Sequence, residues 1–229
     1  MLKARKKITK RELKEDTIVT WYFKVVGWYE EYKRYVLWGV AGIAVLVLAV
    51  VVYSNNRRNA DQRASTALGQ IISIYDRGDY GLALSGIPEQ NVMGLQAIVD
   101  NYGGSRSGDL ARLYAANCYL YLGEADKALK LYEDFGGPDK PMQAARMAGE
   151  AGCYEMKKNY KEAAEALLKA AGKDPKGVNA ANHLLRAGID YKLAGDKEKA
   201  LELFRKLKQE YPKAEETRRV DFYIGELGV

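Results

Sequence analysis

Residues 35–53, YVLWGVAGIAVLVLAVVVY, run nineteen positions without a charged side chain in a chain of 229 residues that is 29% charged overall. An α-helix rises about 1.5 Å per residue, so the run spans roughly 28 Å, close to the roughly 30 Å hydrocarbon core of a bilayer. A buried helix of a soluble domain keeps a polar stripe, and none interrupts Tyr35–Tyr53. A secretory signal peptide has a short basic start, an apolar run of about 7–15 residues and a small-residue cleavage site. Here the leader is 34 residues long, and Asn55, Asn56, Arg57 and Arg58 follow the run directly. Cleavage at Ala67 is the competing reading, and an uncleaved transmembrane helix over 35–53 is the one the pattern favours.

Cations accumulate on the cytoplasmic side of a span. Ten lysines and arginines precede Tyr35, whereas only Arg57, Arg58 and Arg63 lie in the twenty residues after Tyr53. The leader is therefore expected inside and the remainder outside. Beyond Tyr53 the chain carries 26 basic and 25 acidic residues, so all but one unit of the formal net charge of +6 resides in the first 53 positions. The balanced remainder argues against nucleic acid as a partner. Membrane-interface positions are expected at Trp21, Trp28, Tyr32, Tyr35, Trp38 and Tyr53, where amphipathic rings favour the headgroup level.

Thr9-Lys10-Arg11-Glu12 has the pattern of a capping box and predicts a helix start near Thr9. The aromatic segment that follows fits an amphipathic helix lying in the membrane interface, a helix extending the span, or a docking surface centred on Trp21 and Trp28. The expected organisation is a leader over 1–34, the span over 35–53, a linker helix and weak first repeat over 54–109, and repeats with a capping helix over 110–229.

Three blocks beginning at Leu110, Ala144 and Ala181 align with one another. Tyr119, Tyr154 and Tyr191 correspond, as do Ala128, Ala163 and Ala200, then Tyr132, Leu167 and Phe204, with periods of 35 and 37 residues. Tyr80 and Ala83 mark a weaker earlier unit. This pattern resembles the tetratricopeptide repeat, a helix-turn-helix unit of about 34 residues with small residues where its helices cross. The family's tryptophan near the start of the first helix is missing, and of its favoured glycines only Gly188 is recognised. The resemblance implies an all-α fold: an N-terminal amphipathic helix and a transmembrane helix, then a solenoid of helical hairpins whose concave face binds proteins. Register on the first helices places Tyr114, Asn117, Tyr121, Glu155, Met156, Asn182, Arg186 and Lys192 in that groove. A clamp for terminal carboxylates needs a matched lysine and asparagine set, of which Asn117 alone fits.

Catalytic chemistry finds no support. His183 is the one histidine, so neither a metal-binding cluster nor a histidine relay can be assembled, and a packed or surface role is expected. Gly103–Gly108 has the glycines of a phosphate loop, but Asp109 stands where lysine is needed, so a loop between helices is predicted. Neither a cofactor nor a small-molecule substrate is indicated. Cys118 and Cys153 occupy equivalent positions on helices expected about 8–10 Å apart, too far to bridge, and are predicted to be buried free thiols.

The order of leader, span, alanine-rich linker and degenerate repeats resembles the ancillary subunit of the bacterial Sec translocon. That resemblance implies a single-pass inner-membrane protein whose periplasmic repeats work with translocon subunits, chaperones or extended client segments. A scaffold subunit of a larger membrane complex and an envelope or cell-wall coordinator are the alternatives.

Overall fold

The computed structural model describes residues 10–228. They divide into two units, 10–56 and 57–228, and are helical apart from one two-residue strand pair and short turns.

Helix α1 runs from Lys10 to Asp76 without a break. No proline precedes Pro88, so nothing in this stretch removes a backbone donor or clashes with the preceding turn. Leader, apolar run and the start of the linker are thus one element, the arrangement of a leader helix that extends the apolar run. The Thr9 cap lies outside the described residues. Among them, α1 is the one helix long and apolar enough to cross a membrane, and its most apolar window is 0% buried.

In the second unit, the end of α1 is followed by α2 (Tyr80–Ser85) and by strands β1 (Gly86–Ile87) and β2 (Val92–Met93). The strands pair antiparallel, Gly86 opposite Met93 and Ile87 opposite Val92. Then come α3 (Leu95–Tyr102) and three antiparallel helix pairs: α4 (Arg106–Tyr121) with α5 (Ala125–Glu133), α6 (Lys140–Met156) with α7 (Tyr160–Lys173), and α8 (Ala180–Leu193) with α9 (Lys197–Glu210). Helix α10 (Val220–Leu227) ends the unit. The glycine-rich stretch is a loop only over Gly103–Ser105; Ser105 caps α4 by accepting from the Gly108 N–H, 3.0 Å away.

One turn recurs four times, and it explains the repeat spacing. The first helix of each pair ends in a left-handed residue: Gly78 (φ 83°), Gly123 (φ 84°), Lys158 (φ 61°) and Gly195 (φ 84°). The next N–H reaches back to close the last helical turn, from Asp79 to Ile74 O, Glu124 to Tyr119 O, Asn159 to Tyr154 O and Asp196 to Tyr191 O, at 2.8–3.3 Å. Ala83, Ala128, Ala163 and Ala200 stand at the same offset after this turn and are each 0% exposed, which lets the second helix close on the first. The end of α1 with α2 is therefore a repeat of the same kind, with Ile74 in place of the tyrosine.

Burial runs continuously through the stack. Ile71, Leu95 and Ile98 pack with Cys118 at its start; Ala128, Tyr132 and Phe135 pack with Cys153 in its middle; Leu167, Leu185 and Phe204 lead to Val220 and Leu227 of α10, which cover the last pair. Both cysteines are free and buried. Burial pushes their thiols up, to about 12 for Cys118 and about 11 for Cys153, so neither is a reactive thiolate near neutral pH.

Candidate protein-binding groove

The first helices of the pairs, α4, α6 and α8, bound a cleft of about 640 Å³. Its floor is α6, where Gly149 and Gly152 make room for the Tyr132 ring and the Leu120 side chain, and its rims carry Tyr121, Met156 and Arg186. Gly149 is forced: a β-carbon there would run into the Tyr132 ring, which is itself fully buried. Tyr132 thereby turns its hydroxyl to the cleft and donates to Asn117 Oδ1 at 2.5 Å.

Five of the eight residues predicted for the groove line it: Asn117, Tyr121, Glu155, Met156 and Arg186. Tyr121 is 62% exposed, held in place by stacking on Tyr80 at 4.5 Å between ring centres, and Met156 is 46% exposed. The other three do not line it. Tyr114 packs edge-on against Tyr75 at 4.9 Å. Lys192 pairs with Glu226 and lies over the Tyr223 ring, both on α10. Asn182 is half-buried on α8, and its neighbour His183 takes the wall instead. Asn117 holds the stack together, since its Nδ2 also donates to Tyr75 Oη at 3.3 Å.

The polar end of the cleft is a cluster that register alone did not reveal. Arg186 on α8 donates to Glu155 on α6 through Nε at 3.2 Å and Nη2 at 2.8 and 2.9 Å. Behind them lies Asp190, 3% exposed, with Oδ2 unpartnered. Burial, then the charge of Glu155 and a hydrogen bond with it, push the Asp190 carboxyl up to about 7, while Arg186 pulls it down. His183 is 7% exposed with Nδ1 unpartnered; burial, and secondly Arg186, lower its proton affinity and hold it neutral. The signal for Asp190 was in the sequence: it stands at the same offset before its turn as Cys118 and Cys153, a carboxyl where the two preceding repeats bury a thiol.

A family model described as a tetratricopeptide repeat-like domain matches residues 27–178, about two thirds of the chain. The chain belongs to the tetratricopeptide repeat-like family. A tetratricopeptide repeat model also matches residues 184–214, which cover most of α8 and all of α9. Comparison with curated proteins and with solved structures gave no match. Tetratricopeptide repeats are in general protein-binding modules rather than enzymes. The cleft agrees with a protein-binding role, for its side chains are mainly small, aromatic or paired.

The six aromatic positions predicted for the membrane interface all lie exposed on α1, from 40% at Tyr32 to 77% at Trp38. Trp28, Tyr32 and Tyr35 form a contiguous stripe, with ring centres 5.6 and 6.4 Å apart. Along one unbroken helix, Tyr35 and Tyr53 are separated by about 27 Å, a bilayer's hydrocarbon thickness, whereas Trp21 stands about 21 Å before Tyr35.

Proposed function

We propose that this chain is a membrane-anchored, non-enzymatic protein-binding subunit of the cytoplasmic membrane. Its leader faces the cytoplasm, its repeats face the periplasm, and it serves secreted proteins beside the translocon and the periplasmic chaperones. The observation that carries the reading is the open cleft across α4, α6 and α8, with Tyr121 and Met156 exposed on its rim, in a chain whose long apolar run within α1 follows a strongly basic leader. Aromatic and methionine side chains suit adaptable, partly apolar contact with varied segments. The position of Trp21 along α1 favours a protein contact over lipid for the start of the leader.

In-cell photocrosslinking from Tyr121 and from Trp21 tests this. Many secreted proteins captured at Tyr121, with a translocon subunit at Trp21, is the expected result. A single stoichiometric adduct at Tyr121 would overturn the client-handling role in favour of a fixed scaffold.

A further inference from the structure

The polar end of the cleft holds two carboxyl groups for one guanidinium. All three donations from Arg186 go to Glu155, which leaves Asp190 facing Glu155 with its own Oδ2 unpartnered. The charged groups that act on Asp190 are Glu155 from α6 and Arg186 one turn back on α8. His183, on the cleft wall nearby, supplies no second cation, because burial and Arg186 keep it neutral. The cluster is one positive charge short.

Resting on the groove reading above, we infer that the occupant of this cleft carries a lysine or arginine side chain, whose cation seats against Glu155 beside the unpartnered Asp190 carboxyl. The Glu155 side chain is 31% exposed and lines the cleft, so an incoming cation reaches it from solvent. Its Oε2 accepts one bond from Arg186 and has capacity for another. Once that charge is in place, the Asp190 carboxyl gives up its proton to solvent, and both carboxylates are compensated. The occupant then lies along α6, with apolar side chains against Leu120 and Met156. An acidic segment would instead meet the like charge of Glu155, with Nε and Nη2 of Arg186 already turned to that carboxylate.

The proposal makes binding proton-linked. The test uses the full chain in detergent micelles and two fluorescently labelled nonapeptides of alternating alanine and valine, one with a central lysine and one with norleucine in its place. Anisotropy titrations are run at about pH 6 and about pH 8 on the wild type, on Asp190→Asn and on Asp190→Cys, which places there the residue type buried at that offset in the two preceding repeats. The wild type should bind the lysine peptide about tenfold tighter than the norleucine peptide at the higher pH, lose much of that preference at the lower, and both variants should lose the pH dependence. Equal binding of the two peptides at both pH values would sink the cation site and leave the groove reading standing. Binding of neither would also sink it, and the groove itself would then be judged by the Tyr121 crosslinks alone.

Discussion

Lys158 occupies at φ 61° the turn position that glycine fills in the three other repeats. A left-handed backbone costs a residue with a β-carbon roughly 1–2 kcal/mol, partly offset in glycine by the greater freedom of its unfolded chain. The lysine side chain is exposed, so little packing is at stake. Lys158→Gly should therefore stabilise the repeat unit by about 1 kcal/mol, raising its thermal midpoint by about 2–4 °C; a lowered midpoint in a melting experiment would show that the lysine makes a compensating contact. Asp190 works in the opposite sense. An unfolded aspartate ionises near pH 4, whereas this one holds its proton to about 7. Between those values the folded state binds more protons than the unfolded state, so this group's contribution is full below about pH 4 and is lost as pH rises to about 7. Asp190→Asn removes that slope. Its stability relative to wild type should climb across the window by on the order of 4 kcal/mol, as read from denaturant unfolding at several pH values; parallel profiles would mean that Asp190 ionises normally.

Within α6 and α7, glycines have opposite meanings that only their neighbours disclose. Gly149 faces the Tyr132 ring with no room for a β-carbon, whereas Gly172 on α7 is exposed and has nothing within 4 Å of where one would sit. Alanine is the better helix former by about 1 kcal/mol, so Gly172→Ala should raise the melting point. Gly149→Ala should lower it, because displacing a buried aromatic ring costs about 1–3 kcal/mol, more than the propensity gained. Stabilisation by both substitutions would mean that the α5–α6 contact is looser than the packing indicates. The helix pairs themselves were legible, because an alanine at a fixed offset after a tight turn is a local signal that repeats. Burial side was less so. Tyr114 and Asn117 sit in register with groove residues, yet Tyr75 on α1 and Tyr132 on α5 engage them, and Lys192 is drawn to α10 by Glu226. Those partners belong to elements whose packing the alignment of first helices does not contain. Gly149 carried a readable hint, since glycine in an alanine-rich helix is unfavourable unless something needs its space.

At the scale of the whole molecule, the claim that the leader and the repeats lie on opposite sides of a membrane rests on cation asymmetry around the apolar run of α1. The molecule is well suited to a direct test. Its two native cysteines are buried, and burial pushes both thiols well above the range in which thiolates form near neutral pH, so a maleimide meets little background. Val178, between α7 and α8, is 95% exposed, and Lys7 lies in the basic leader. In spheroplasts, a membrane-impermeant maleimide should label Val178→Cys at once and Lys7→Cys only after detergent is added. The reverse pattern would place the groove in the cytoplasm, where secreted clients could be met only before export, and the proposed periplasmic role would fail. Labelling of both sites without detergent would mean that α1 does not cross the bilayer at all. The groove would then remain a protein-binding surface, since its geometry depends on α4, α6 and α8 and not on where the membrane lies.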